Sequence, residues 1–122
     1  MIEVSPETHR ALAGISGGEA GTIAAATQPR GASAAARALD GRTAGLIRIA
    51  ALIAIDAPPA SYALQIDEAT AAGATPEEIL GVLEAVASHV GGPKVVAAAP
   101  EIMLALGLSL PADEPTPGGP CS

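Results

Sequence analysis

The stretch GATPEEILGVLEAVASHVGGP, residues 73–93, contains both the start and the end of one helix. Thr75 stands at the N-cap position, Pro76 follows at the first helical position, and Glu78 stands three residues after the cap, which completes a capping box. The apolar residues that follow recur at the spacing of a single helical stripe: Ile79, Val82, Leu83, Val86 and Val90. The stretch therefore predicts an amphipathic helix of about 16 residues that ends at Gly91.

The upstream stretch LDGRTAGLIRIAALIAI, residues 39–55, predicts a second helix with almost no polar face. Asp40 stands at its N-cap position, and Arg48 interrupts an otherwise apolar run. A helix that is apolar all round must be covered on every side, and a chain of 122 residues has few other helices with which to cover it. We therefore expect a second copy of the chain to complete the covering.

Prolines and glycines mark the ends of the other predicted helices. Ser5 and Pro6 start one helix, Pro58 and Pro59 start another, and Gly107 ends the last. No segment alternates with period two, so we predict an all-α fold without a sheet. Besides the two helices above, these signals predict a helix after Ser5, one or two short pieces within residues 21–37, and helices at about 59–72 and 94–107.

The composition favours helices packed on helices. Hydrophobic residues make up 49% of the chain, and they include one Tyr but no Phe or Trp. A core of small aliphatic side chains suits close helix packing. We expect one globular domain over residues 1–108 and a disordered tail over residues 109–122, where prolines and glycines replace the apolar periodicity.

Charge and cysteine content exclude several classes of partner and site. A net charge of −7 repels phosphate backbones and anionic membrane surfaces, so we predict no nucleic-acid and no membrane partner. The apolar run at residues 43–55 is too short to span a bilayer. The single cysteine, Cys121, has no disulfide partner, which favours a cytoplasmic location. No second ligand stands at metal-binding spacing from His9 or His89, so we predict no metal and no cofactor.

Residues 39–107 together resemble the carboxymuconolactone decarboxylase family, which includes the alkylhydroperoxidase D-like proteins. This resemblance implies an all-helical, alkylhydroperoxidase D-like bundle that assembles as a homotrimer or a homohexamer. Such an assembly would provide the second copy of the chain that we expect to cover the apolar helix at residues 39–55. The resemblance depends on Leu39-Asp40 with Thr43, on Gly73-Ala74-Thr75 with Glu77-Glu78-Ile79, and on Gly91 with Pro93.

The catalytic groups of the peroxidase branch are missing from this chain. The resemblance places the Cys-x-x-Cys-x-x-x-His run of that branch on Pro58, Ser61 and Gln65, and its proton-relay glutamate on Gly45. Thiol peroxidase chemistry needs one thiolate to attack the peroxide and a second thiol to resolve the sulfenic acid. The decarboxylase branch lacks the cysteines but keeps a histidine at the place of Gln65. We therefore interpret the chain as a divergent member without peroxidase activity.

Polar residues of the helix at 59–72 remain as candidates for a site. Ser61, Gln65 and Glu68 stand at i, i+4 and i+7, and Tyr62 lies beside Gln65, so the four share one helix face. This face lies where the resemblance implies the family site. The alternative is that the face lies at a subunit surface or satisfies neighbouring backbone groups.

Two charged or titratable residues on other helices complete the candidate set. Arg48 could anchor a substrate carboxylate, or it could form a structural ion pair with Asp67, Glu68 or Glu84. His89 could be a general base, or a solvated residue at a helix C-terminus. We assign catalysis to Tyr62, Gln65 and His89, and substrate binding to Arg48, Ser61 and Glu68.

Three functions are compatible with these residues. The first is a thiol-independent lyase, isomerase or hydrolase that acts on a small organic acid or lactone; its carboxy-lyase character is implied by the resemblance. The second is a small-ligand-binding or regulatory oligomer without turnover, and the third is a structural partner for another copy. An aliphatic pocket would suit an apolar ligand in the first two cases, and we expect it to be lined by Leu64, Ile66, Leu83 and Val86.

The missing thiols lead to a first testable prediction. Purified protein should show no thiol-dependent peroxidase turnover above any background from Cys121, because no other thiol is present. Reduction of a hydroperoxide by a dithiol, followed for the wild type and for Cys121→Ser, measures this. Turnover that survives the substitution would contradict the prediction.

Overall fold

The computed structural model of the protein describes residues 2–27 and 36–110, and its regular structure there is entirely helical. This confirms the all-α prediction for the described residues. No helix among them is both long enough and apolar enough to cross a bilayer. The predicted tail lies outside the described residues from position 111 onward. The helices are α1 (Pro6–Ser16), α2 (Ala20–Ala26), α3 (Gly41–Ile55), α4 (Pro59–Ala71), α5 (Pro76–Val90) and α6 (Gly92–Ala105), with a 3-10 turn at Ala36–Ala38.

The chain forms two compact units, which divide after Asp40. In the first unit, Ser5 caps α1 as expected, since its side-chain oxygen accepts a hydrogen bond from the Thr8 amide at 3.1 Å. Helices α1 and α2 approach closely at Gly14, where an added Cβ would lie 2.5 Å from Thr22 Oγ1. Gly14 is the one buried residue among those described in this unit, so the unit has little core of its own.

The second unit, α3 to α6, contains the hydrophobic core. Helix α3 packs against both α4 and α5, and α6 packs against α4, α5 and part of α3. Apolar side chains of all four helices and of the α4–α5 connection meet between them, which is the arrangement that the small aliphatic composition predicts. The buried core residues are Ile49, Ile53, Tyr62, Ile66, Ala69, Ala74, Ile79, Ala98 and Ile102.

The capping box at the start of α5 forms as predicted and also joins α5 to α3. Thr75 Oγ1 accepts a hydrogen bond from the Glu78 amide at 3.1 Å, and Glu78 Oε1 accepts one from the Thr75 amide at 3.0 Å. The second carboxylate oxygen of Glu78 pairs with the guanidinium of Arg42, in the first turn of α3. One carboxylate therefore satisfies a helix terminus and holds two helices together.

Helices α3 and α4 approach most closely at Gly45. A Cβ added to this buried glycine would lie 2.9 Å from Ala69 Cβ and 3.1 Å from Ala69 Cα. Both atoms belong to the rigid part of α4, so neither can move aside without moving the helix. The small residues Gly45 and Ala69 thus allow the backbones to approach to a distance that no larger pair would permit.

The single chain covers only one side of α3. Ile49 and Ile53 are fully buried, while Ile47 and Ile55 are 51% and 70% exposed. The neighbouring helices of one chain therefore leave part of α3 exposed. The sequence predicted this, because a chain of this length has few helices with which to cover it. An oligomer that covers the exposed side stays a prediction.

The close contact at Gly45 can be tested by stability measurements. We expect Gly45→Ala to lower the free energy of unfolding by on the order of 1 kcal/mol, because overpacking of about 1–3 kcal/mol exceeds the gain in helix propensity. The matched control is Gly81→Ala in α5, where an added Cβ meets no atom within 4 Å. This control should raise stability by about 0.5–1 kcal/mol. Urea unfolding followed by circular dichroism measures both, and equal stabilisation by both variants would refute the close contact.

Candidate functional site

Helix α4 packs against α3 and against α6. Pro58 stands at its N-cap position and Pro59 begins the helix, as the sequence predicted. Tyr62, Ile66 and Ala69 recur at i, i+4 and i+7 and form its buried stripe. The positions of interest on α4 therefore lie on or beside a stripe that the core holds in place.

The α4 positions that the resemblance assigns to thiols and histidine lie beside this stripe. Pro58 is exposed, while Ser61 and Gln65 are half-buried. The place of the relay glutamate is Gly45, and the contact with Ala69 leaves no room there for any side chain. Gly45 therefore serves the close packing of α3 against α4. A glutamate at position 45 would prevent that packing.

Tyr62 is the largest fully buried side chain of the second unit and is 2% exposed. Its hydroxyl makes no hydrogen bond to another described residue. Burial raises the pKa of Tyr62 above its ordinary value of 10.0, and the charges of Asp56 and Glu101 raise it further. The phenol is therefore neutral at physiological pH and available as a hydrogen-bond donor.

Sequence reasoning missed Asp56 and Glu101 as neighbours of Tyr62. Asp56 had a local signal, because it stands six residues before Tyr62 in the connection that precedes α4. Glu101 had none, because it lies on α6 and reaches Tyr62 only through the packing of α6 against α4. The charges of both carboxylates oppose ionisation of the Tyr62 phenol.

Gln65 provides a second polar group without a partner. Its side-chain oxygen Oε1 is buried and accepts no hydrogen bond from the described residues. Such an orphaned acceptor costs about 1–3 kcal/mol, so a water or ligand that donates to it would be stabilised there. Gln65 lies three residues after Tyr62, about 60° around the helix, with half-buried Ser61 and Glu68 on its far side. The helix therefore brings these four candidate residues together along one edge of the buried stripe.

Arg48 and His89 lie elsewhere on the surface. Both side chains are exposed, and no hydrogen bond or ion pair within the described ranges joins either of them to Tyr62 or Gln65. The hydroxyl of Ser88 lies 3.2 Å from His89 Nδ1, in the last turn of α5. The roles assigned to Arg48 and His89 stay predictions.

Two structural expectations from the sequence are corrected here. The ion pair of Arg48 with an acidic residue of α4 or α5 is not seen among the described residues, because an exposed guanidinium pays no desolvation penalty that requires a partner. The expected aliphatic pocket is also not assembled. Leu64 is 57% exposed while Ile66 is fully buried in the core, so the two face opposite environments.

No group of three or more potential ligand side chains (His, Cys, Asp, Glu) in the described ranges is arranged to hold a metal ion. What the arrangement on α4 provides is one neutral donor, the Tyr62 hydroxyl, and one buried acceptor, Gln65 Oε1. These groups can orient a small polar molecule and can stabilise charge that develops on its oxygen atoms.

Comparison with known proteins identifies one family. The sequence model described as the carboxymuconolactone decarboxylase family matches residues 20–102. This match runs from α2 into α6 and contains all of α4. No curated protein and no solved structure matches the chain.

The raised pKa of Tyr62 predicts a loss of stability at alkaline pH. Since Tyr62 is the only aromatic residue, phenolate absorbance reports its ionisation alone. We expect a midpoint above 10.0 in the folded protein and near 10.0 in denaturant. The folded state then holds the proton more tightly, so its stabilisation is complete below pH 10.0 and is lost as the pH rises through the folded-state pKa. Tyr62→Phe should lack this loss, and a folded-state midpoint at or below 10.0 would be inconsistent with a buried phenol.

Proposed function

Because the chain belongs to the carboxymuconolactone decarboxylase family, we propose that it is a thiol-independent lyase- or isomerase-type enzyme that acts on a small organic acid or lactone. The single observation that supports this proposal most strongly is the buried side-chain oxygen of Gln65, which has no hydrogen-bond partner among the described residues and lies on α4 close to Tyr62. Buried polar groups are nearly always hydrogen-bonded, so an unsatisfied one on this helix favours a bound molecule.

The chemistry of the two groups fits an ester or acid. A lactone carbonyl accepts a hydrogen bond from a phenol, and negative charge develops on that oxygen when the ring opens or rearranges. A phenol is protonated at neutral pH, and burial and the charges of two carboxylates raise the pKa of Tyr62 still further from that range, so its hydroxyl can donate a hydrogen bond. Gln65 Oε1 accepts a hydrogen bond from a hydroxyl or from a protonated acid.

Other candidate residues have weaker support. Ser61 and Glu68 flank Gln65, and we propose that they contact the substrate from the same side. Arg48 and His89 remain candidates for a carboxylate contact and a general base, but exposed side chains without contact to α4 add no support. We infer that peroxides are not substrates, because Gly45 packs against Ala69 and the thiol positions hold Pro58 and Ser61.

A non-catalytic oligomer that binds a small ligand is the second candidate. It is favoured by the exposed side of α3, where Ile47 and Ile55 would be covered in a homotrimer or homohexamer. Tyr62 and Gln65 could hold a ligand in such an assembly without turnover. This candidate and the enzyme differ in whether the hydroxyl of Tyr62 acts on a reacting atom.

Kinetic assays separate the two candidates. We expect the wild type to turn over carboxymuconolactone or a related carboxylated γ-lactone, measured as release of carbon dioxide. Tyr62→Phe should lower kcat/KM by about 100-fold, because it removes a donor to the developing oxyanion. Asp67→Asn, at an exposed position of the same helix, is the matched control and should leave the rate unchanged.

The remaining outcomes are equally informative. Binding of these lactones without turnover would support the non-catalytic candidate. Turnover that is equal in the wild type and in Tyr62→Phe would remove Tyr62 from the mechanism and contradict the proposal.

A further inference from the structure

Helix α1 has an apolar face that α2 does not cover. Leu12 and Ile15 stand three residues apart, so they share one face of α1, and they are 60% and 47% exposed. Helix α2 packs elsewhere on α1, at Gly14, which lies about 100° around the helix from Ile15 and about 160° from Leu12. The contact with α2 therefore leaves this apolar face of α1 open.

The first unit needs a further packing surface for its stability. Helix α1 has 11 residues and α2 has 7, and isolated helices shorter than about 12–15 residues are only marginally stable in water. Gly14 is the one buried residue among those described in this unit, so the two helices have no hydrophobic core of their own to stabilise them. Burial of Leu12 and Ile15 against another apolar face would supply that stabilisation.

The exposed side of α3 is an apolar face of suitable size. Ile47 and Ile55 are 51% and 70% exposed, and Ala51 and Ala54, which stand between them, are exposed as well. These four residues recur at helical spacing and form one face, with small side chains in its middle. From Ile47 to Ile55 the face extends about 12 Å, and the 11 residues of α1 extend about 16 Å. Helix α1 is therefore long enough to cover it.

The charges at the edges of the two faces are complementary. On α3, the exposed side chain of Arg48 lies about 100° around the helix from Ile47 and makes no hydrogen bond or ion pair within the described ranges. On α1, the exposed side chain of Glu7 lies about 80° from Ile15, in the opposite rotational sense. When two such helices pack face to face in parallel, these two edges meet on the same side of the contact.

One register of this parallel packing satisfies the charges and the apolar residues together. With Glu7 level with Arg48, Leu12 lies about 7.5 Å further along the axis, between Ala51 and Ala54 of α3 at about 4.5 and 9 Å. The large side chain of α1 is then opposite the small side chains of α3, which is how closely packed helices interlock.

We propose that α1 of one copy of the chain packs in parallel on the exposed face of α3 of a second copy, with Glu7 beside Arg48. Both faces are exposed in the single chain, so one kind of contact between copies covers both of them. Helix α1 ends before residue 20, where the family match begins, so membership of the family does not imply this contact. The inference is independent of the proposed activity.

Two charge reversals test the contact. Assembly is measured by sedimentation equilibrium of the full chain at low ionic strength, where exposed charges are least screened. Glu7→Arg brings two positive charges together and Arg48→Glu brings two negative charges together, so each variant alone should assemble about 10-fold more weakly than the wild type. An equimolar mixture of the two variants should regain assembly, because α1 of each variant then meets an opposite charge on α3 of the other.

A substitution within the apolar face gives a second test. Leu12→Ser should weaken assembly by about 10- to 100-fold, because it removes most of the apolar area that α1 would bury. Circular dichroism should show the helices of the second unit unchanged, since Leu12 lies outside that unit. The matched control is Leu80→Ser on α5, which makes the same change at a leucine that is 53% exposed and should leave assembly as in the wild type.

Each contrary result would overturn the inference. A wild type that stays monomeric over the whole concentration range would exclude the contact between copies. Charge reversals that weaken assembly but are not rescued by mixing would show that Glu7 and Arg48 do not meet between copies. If Leu12→Ser assembles as tightly as the wild type, or no more weakly than Leu80→Ser, an occupant other than α1 covers α3. None of these results bears on lactone turnover, which tests the proposed function separately.

Discussion

The contact between Gly45 and Ala69 is the constraint on which the rest of the second unit depends. It sets the separation of α3 and α4, since a single added carbon on Gly45 would lie 2.9 Å from Ala69 Cβ. With no Phe and no Trp in the chain, the core cannot fill wider gaps between helices, so close backbone approach replaces large side chains. Ile49, Ile53 and Ile66 are fully buried as a consequence.

The same contact has a consequence for chemistry. The family resemblance assigns a proton-relay glutamate to the position of Gly45, and a residue of that size cannot coexist with the observed helix separation. Packing and peroxidase chemistry therefore compete for one position, and in this chain packing occupies it. The polar groups that remain, on α4, are suited to hydrogen bonding and not to thiol chemistry.

The candidate site on α4 differs from the surrounding hydrophobic core in its polar groups. Tyr62 is a buried residue, and its burial, together with the charges of Asp56 and Glu101, raises the pKa of its phenol above 10.0. At the other end of the bundle, Glu78 forms an ion pair with Arg42 and accepts a hydrogen bond from the Thr75 amide at the start of α5.

The sequence by itself determined the helices, because N-caps, prolines and glycines act within one turn of the chain. Ser5, Pro59, Thr75 and Gly91 marked starts and ends that the structure confirms within about two residues. It also located the Ser61, Tyr62, Gln65 and Glu68 face, since helical periodicity is local. Only the tertiary structure decided which of these residues is buried, that Arg42 and not Arg48 forms an ion pair, and that Glu101 acts on Tyr62. Those facts depend on how separate helices pack, and residues far apart in the chain carry no local signal of their contact.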